Sequence, residues 1–440
     1  MTYESSVLII GGGIFGTSTA YHLSKLYHDP SKITVLDPAP SPSSEDPKGR
    51  QAASTDINKI IRADYSSPFY CELAYEALSA WADWPELEPY YHRTGWVMLE
   101  ETGSDLASRI RKVFQNRSHD PTEDVSLQGD LENRWGGILK GTVTDGFGNA
   151  YWNPEAGWCE AAAATASLMQ AAIERGVKYE VGQADEIMMD GSVCQGARTK
   201  DGREVVADKI IIASGSWTSA LLSPLEDALE IPEEERVEKQ AQAAGVAVVH
   251  YELSEIELEQ LKDMPVVVYG AHGEVIPPPH ANRLLKYTNA NTFTNPTITK
   301  SGHRISIPPE TSQHEVPEEL KQEMYDVMTS KAMPTFVQHK TPSYWRLCWD
   351  SFTPTQDWLL TKHPHPNLSN LYLAIGGSFH SYKFLPIAGK YMANVVTDQS
   401  NGVQKDCAWG WKHWDPSQEL KGAHEATKPK RELASLYDNA

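Results

Sequence analysis

The stretch that decides the fold is VLIIGGGIFGTSTAYHLSKLYHDPSKITVLD, residues 7–37. A short apolar run, Val7–Ile10, runs straight into Gly11-Gly12-Gly13-Ile14-Phe15-Gly16. Ala20, Leu23 and Leu26 follow at helical spacing, and a second apolar run, Ile33–Leu36, ends in Asp37. This is strand, tight turn, helix, strand. The glycines fall as GxGxxG at 11, 13 and 16, with a carboxylate about 20 residues further on. Glycine lets the backbone approach a pyrophosphate, which then rests on the helix N-terminus. The Asp37 carboxylate is placed to accept hydrogen bonds from ribose hydroxyls. The pattern predicts a dinucleotide held by Gly11, Gly13, Ile14, Phe15, Gly16 and Asp37.

Working outward, apolar runs at Val177–Val181, Lys209–Ala213 and near 371 supply further strands of the same type. Residues 38–56, rich in Pro, Ser and charge, predict a loop. Helices are expected over Phe69–Trp81 and the alanine-rich Gly157–Arg175. Strands are expected over Tyr91–Glu100, Val246–His250 and Pro265–Tyr269, and a hairpin turns at Asp201-Gly202. The nucleotide-type strands are spread along the chain with other material between them. The fold class is therefore α/β, a Rossmann-like domain interleaved with a mainly antiparallel α+β domain. Residues 1–85, 150–220 and 341–400 form the first, 86–149 and 221–340 the second, and 401–440 a tail.

The bulk composition sets bounds. A chain of 440 residues buries a sizeable core, and its net charge of -20 argues against nucleic-acid or anionic-membrane binding. The five cysteines are scattered and none has CxxC spacing, which favours a reducing compartment. No apolar run reaches the ~20 residues of a membrane span. No signal peptide precedes the first strand, and Asp438-Asn439-Ala440 is not a peroxisomal tripeptide. The cytoplasm is the expected location.

Six segments in this order carry a resemblance: Gly11–Gly16 with Asp37, Asn58-Lys59 with Arg62, Ala156-Gly157-Trp158, Ala213-Ser214-Gly215, Arg346-Leu347-Cys348-Trp349, and Gly376–Pro386. Together they resemble the monomeric sarcosine oxidase family of flavoprotein amine oxidases. Within it the chain is most similar to fungal amadoriases (fructosyl amino acid oxidases) and to pipecolate or saccharopine oxidases. The resemblance implies a glutathione-reductase-type domain binding FAD rather than NAD. It implies oxidation of a secondary amine, N-substituted or cyclic, with hydride passing to flavin N5, an imine as product, and O2 reduced to H2O2. A monomer acting on an amino-acid-like small molecule is expected.

The resemblance also implies roles. Cys348 is joined through sulfur to the flavin 8-methyl carbon, on a strand that puts Arg346, Cys348 and Asp350 on one face and Trp349 on the other. Buried free cysteine is the ordinary alternative. Arg62 and Lys383 bind the substrate carboxylate, one as a planar fork and the other as a point charge. Asn58 and Lys59 lie beside the ring, and Lys286 activates O2. Gly376, Gly377 and Lys383 pass close to the ring, and Val181 joins the cofactor set. A helix from Leu385 presents its N-terminus to the flavin's pyrimidine edge. His380 is read as structural and Asp350 as solvated, with a second polar group of the substrate as the alternative for Asp350.

Amadoriases carry an acidic residue shortly after the equivalent of Lys286. Here Tyr287-Thr288-Asn289-Ala290-Asn291 follows, which weakens fructosyl amino acids as substrates. Oxidative cyclisation of an N-methyl aromatic amino acid, a flavin dehydrogenase that does not use O2, and a nucleotide-binding protein without catalysis remain open.

Overall fold

The computed structural model describes residues 5–40, 52–413 and 431–437. The loop expected over 38–56 and the tail therefore lie partly outside the described residues, and the final tripeptide wholly so.

Val7–Ile10 is central in a six-stranded sheet, flanked by Lys209–Ile212 and Ile33–Asp37, each parallel to it. Lys178–Val181 extends one side, and Leu371–Ile375 then Leu359–Lys362 the other. Only Leu359–Lys362 runs antiparallel. The five runs expected to feed a nucleotide fold are thus neighbours. All but the edge strand Lys178–Val181 are buried on both faces, which explains why they are apolar without alternation.

Helix Ile14–Leu26 crosses back over the sheet and packs against Ala161–Glu174 and Ala388–Val396. Two glycines make the crossings possible. A Cβ on Gly16 would lie 1.8 Å from the Gly11 carbonyl oxygen, and one on Gly389 would lie 2.0 Å from the Ser18 backbone.

A second, mainly antiparallel sheet of ten strands stands over the C-terminal ends of the first. Its middle runs Tyr344–Phe352, Gln242–Glu252, Leu284–Asn289, Gly273–Ile276, Val266–Tyr269, Trp96–Glu101 and Phe147–Asn153. Its outer face is closed by a separate apolar cluster that includes Leu285, Tyr287, Leu347 and Trp349.

Several elements differ from the sequence reading. Tyr344–Phe352 pairs with Gln242–Glu252 in the second sheet, so the chain passes between sheets after residue 352. Tyr91–Glu100 divides: Tyr91–His92 and Trp96–Glu101 join different sheets, with Gly95 at φ +88° between them. Gly157–Cys159 is a strand pairing with Lys59–Ile61, and the alanine-rich helix begins only at Ala161. A Cβ on Gly157 would sit 2.1 Å from the His92 carbonyl oxygen, so close strand approach overrides the pull of the alanine run. The helix expected from Leu385 starts at Ala388, after a single 3-10 turn at Tyr382–Phe384.

The Gly389 contact is testable. Gly389→Ala drives a methyl into the Ser18 backbone, so its melting transition should fall by the equivalent of about 3 kcal/mol. An unchanged Tm would mean that the two helices can separate freely.

Candidate active site

Between the sheets runs one continuous cavity of about 1410 Å³, larger than the roughly 300–1,000 Å³ of an ordinary small-molecule pocket. One end is built by the glycine turn. Gly11 has φ +109°, and a Cβ there would meet the Ala213 carbonyl oxygen at 2.5 Å. The helix from Ile14 has no side-chain cap and no acid in its first turn, so its N-terminal N–H groups face the cavity without a built-in anion. Asp37 lines the same end, accepting from the Gly12 N–H (2.6 Å), the Ala39 N–H (2.9 Å) and the Tyr179 hydroxyl (3.2 Å).

Two serines that carry no sequence motif also line this end. Ser54 Oγ and Ser216 Oγ are buried and have no hydrogen-bond partner among the described residues. An orphaned buried hydroxyl is costly, and a bound phosphate or ribose would satisfy both. Val181 pairs in register with Asp37 but is 43% exposed, and Gly182 and Gln183 line the cavity instead.

The other end is roofed by the second sheet. Strand alternation presents Trp96 and Met98, Val268, Glu274 and Ile276, Lys286 and Thr288, Val246 and Val248, and Cys348 and Asp350 to the cavity. Trp349 packs on the far side against Phe293 at 5.4 Å, as the expected faces require.

Behind this roof lies a charge cluster with a residue to which no role was assigned from sequence. Asp56 is 1% exposed, and its Oδ2 accepts from Lys286 Nζ at 2.5 Å and pairs with Lys59 Nζ at 3.0 Å. Arg346 Nη1 is 3.8 Å and His250 Nε2 3.9 Å from its Oδ1. Burial pushes the Asp56 carboxyl up, but Lys286 and Lys59 outweigh it and hold the group well below the usual carboxylate range. Burial lowers the Lys286 ammonium to about 8, against the raising pull of Asp56.

Lys59 Nζ lies 3.9 Å from Cys348 Sγ, so the thiol expected to carry the flavin sits beside a fixed cation. Asn58 is a layer behind the roof. Its carbonyl accepts from Lys286 at 3.0 Å, its amide donates to the Pro277 carbonyl at 2.7 Å, and it is not among the lining residues.

Arg62 and Lys383, 321 positions apart in sequence, both line the cavity floor. Arg62 stacks between Tyr65 (4.8 Å) and Trp96 (4.6 Å) and donates to the Asp64 carbonyl. Lys383 Nζ donates to the Tyr65 hydroxyl at 2.9 Å and the His380 carbonyl at 2.6 Å. Burial, then the Arg62 charge, pulls the Lys383 amine well below the ordinary lysine range.

His380 is a bracket. Its Nε2 bonds the Gln356 carbonyl at 2.8 Å and its Nδ1 the Tyr65 hydroxyl at 2.9 Å, fixing the acceptor that holds Lys383. Asp350 is not simply solvated. Its Oδ2 accepts the Phe379 N–H at 2.8 Å, where Ser378 (φ 46°) and Phe379 (φ 62°) are both left-handed, and burial raises its carboxyl. The carboxylate holds this strained loop over the cavity. Cavity lining stops at Lys383, so the loop rather than the following helix N-terminus meets the ligand.

A family model for FAD dependent oxidoreductases (DAO) matches residues 6–395. The chain belongs to that family. L-saccharopine oxidase of Schizosaccharomyces pombe is 27% identical over 94% of this chain and 95% of its own length. Peroxisomal sarcosine oxidase of Homo sapiens is 24% identical over 88% and 90%. A crystal structure of a modified fructosyl peptide oxidase from Aspergillus nidulans superposes with TM-score 0.81 at 26% identity, covering 98% of each chain.

FAD fits the residues present. The side-chain-free turn at Gly11, the uncapped helix, Asp37 and the two orphaned hydroxyls make a dinucleotide cradle, and the cavity continues from there to Cys348 and Lys383. This FAD-dependent oxidoreductase should use Ser54 and Ser216 for its cofactor. Each serine-to-alanine change should weaken FAD binding about fivefold, near the worth of one hydrogen bond. The check is FAD titration of deflavinated protein carrying Cys348→Ala, where binding is reversible whatever the thiol does.

Proposed function

We propose that this protein is an oxidase of N-substituted or cyclic amino acids, acting on the secondary amine and releasing H2O2. The observation that carries this reading is that Arg62 and Lys383 line the same cavity as Lys286, Lys59 and Cys348. The fork of Arg62 and the point charge of Lys383 hold a carboxylate. That leaves the adjacent C–N bond between floor and roof, oriented by residues that Tyr65, His380 and Trp96 keep still.

FAD, when bound, supplies the redox chemistry: the substrate loses a hydride from carbon and a proton from nitrogen, and O2 takes two electrons and two protons. Water then hydrolyses the imine. Lys286 presents fixed positive charge to the oxygen side of the reaction, with Lys59 and the Asn58 carbonyl completing its setting. The names of the saccharopine and sarcosine oxidases support a secondary amino acid as substrate. The flavin is held covalently through Cys348, a buried thiol 3.9 Å from Lys59 Nζ. A monomer in a reducing compartment fits five free cysteines, and among the described residues no helix is long and apolar enough to cross a membrane.

Peroxide production in air, screened over secondary amino acids such as saccharopine, pipecolate, N-methyl and fructosyl amino acids, tests the reaction. Dye reduction without peroxide would mean a dehydrogenase instead. Acid precipitation should leave the yellow colour with the protein, and Cys348→Ala should release it.

Arg62→Met and Lys383→Met should each raise KM for carboxylate substrates at least tenfold, about 1.4 kcal/mol of binding. An unmoved KM in both variants would remove the clamp. The lowered pKa of Lys383 has a sign: its amine is charged below that value and neutral above it. KM should therefore rise as pH climbs through it, and this limb should vanish in Lys383→Met.

A further inference from the structure

We propose that Asp56 is the positioning residue that holds the Lys286 ammonium in the roof of the cavity, aimed at the place where dioxygen is reduced. The dioxygen part rests on the oxidase reading above.

The geometry is specific. Lys286 is 1% exposed, yet it lines the cavity. Its Nζ has two acceptors on one side, Asp56 Oδ2 at 2.5 Å and the Asn58 carbonyl at 3.0 Å, leaving its third N–H for the cavity. Asp56 is not among the lining residues and acts only through the lysine.

Charged and titratable groups face Lys286 from every element packed on it. Asp56 and Lys59 come from the 56–61 segment, Arg346 and Cys348 from Tyr344–Phe352, His250 from the register position directly opposite on Gln242–Glu252, Glu274 from the adjoining strand Gly273–Ile276, and Cys159 from Gly157–Cys159. His250 adds no charge at neutral pH. Burial lowers it to about 4, its ring stacks on Tyr344 at 4.0 Å, and neither ring nitrogen has a hydrogen-bond partner among the described residues.

Burial and Lys59 press the Lys286 ammonium to lose its proton, and Asp56 is the larger opposing group, with a smaller contribution from Cys348. Without the carboxylate, the lysine would stand neutral and free to swing. The same oxygen of Asp56 holds Lys59, so the two ammonium groups keep a fixed spacing beside Cys348.

Competitive acylation with trace acetic anhydride, read at Lys286 by peptide mass spectrometry on the FAD-loaded protein, reports the fraction of neutral amine at each pH. The wild-type profile should turn over near pH 8, where the amine titrates. In Asp56→Asn it should move down by about one unit or more, a tenfold change, and in Asp56→Glu it should return toward wild type. Reoxidation of the reduced enzyme by O2 near neutral pH should slow about tenfold in the Asn variant and recover as pH is lowered, whereas a purely structural loss would not recover.

Asp56→Asn removes the carboxylate shared by Lys286, Lys59 and Arg346, so Lys59→Met provides an independent arm. Removing the second cation from Asp56 should shift the Lys286 profile upward. An unmoved profile in Asp56→Asn, or a profile that fails to rise in Lys59→Met, overturns the proposal. Absence of peroxide with every secondary amino acid would overturn the oxidase reading and the dioxygen half of the proposal. The acylation profiles decide the Asp56–Lys286 half separately.

Discussion

One buried carboxylate ties the two halves of the molecule together. Asp56 sits in the segment that leads from the nucleotide-binding turn to the Lys59–Ile61 strand. It grips Lys286 and Arg346 on two strands of the other sheet, about 230 and 290 residues away in sequence. A lone carboxylate in that position would be neutral, because burial disfavours its charge. Three cations reverse this, and the group stays ionised. Breaking such a cluster by removing one partner costs about 3–5 kcal/mol, since it strands a charge without water. The contact links the segment before Lys59–Ile61 to two strands of the ten-stranded sheet.

The cluster also concentrates cations at the roofed end of the cavity. The chain as a whole carries -20, and acids line much of the cavity, but at its roofed end Lys59, Lys286, Arg346, Arg62 and Lys383 gather around Asp56, Asp64, Glu274 and Asp350. Burial raises the carboxyls of Asp64 and Asp350. Cations gathered at one end of the cavity of an acidic protein suit a substrate carboxylate. Overall acidity and site chemistry are independent here, so composition does not indicate what the cavity accepts.

The parts of the fold legible in sequence were those written locally. GxGxxG, Asp37 and the five apolar runs all lie in short stretches where spacing alone has meaning, and they assemble as expected. Strand partnership was not legible for Tyr344–Phe352, because the choice between two sheets is made by contacts some hundred residues away. Gly157 was absorbed into an alanine-rich helix because propensity is visible in sequence and the approach of the His92 backbone is not. At the site, Arg62, Lys383, Lys59, Lys286 and Cys348 were found through a resemblance and do converge on one cavity. Asp56, Ser54, Ser216 and Tyr65 were passed over. A single acid or hydroxyl in a mixed segment gives no periodic or motif signal, and its importance comes from partners distant in the chain.

The acid absent after Lys286 shows the same limit in another form. Along that strand the following residues are neutral, and this weighs against a fructosyl substrate when the strand is considered alone. In the sheet, however, Lys286 pairs with Ile276 and Thr288 with Glu274. Glu274 lines the cavity, its Oε2 accepts from the Thr288 hydroxyl at 3.1 Å, and its charge is felt by Lys383. Positions two apart on one strand lie beside their cross-strand partners on the same face, so a carboxylate can reach the lysine's neighbourhood from either strand. The roof therefore does carry an acid near Lys286, contributed by the adjoining strand. Substrate choice in this fold has to be read across the sheet, row by row, because a function lost from one strand can be supplied by the next.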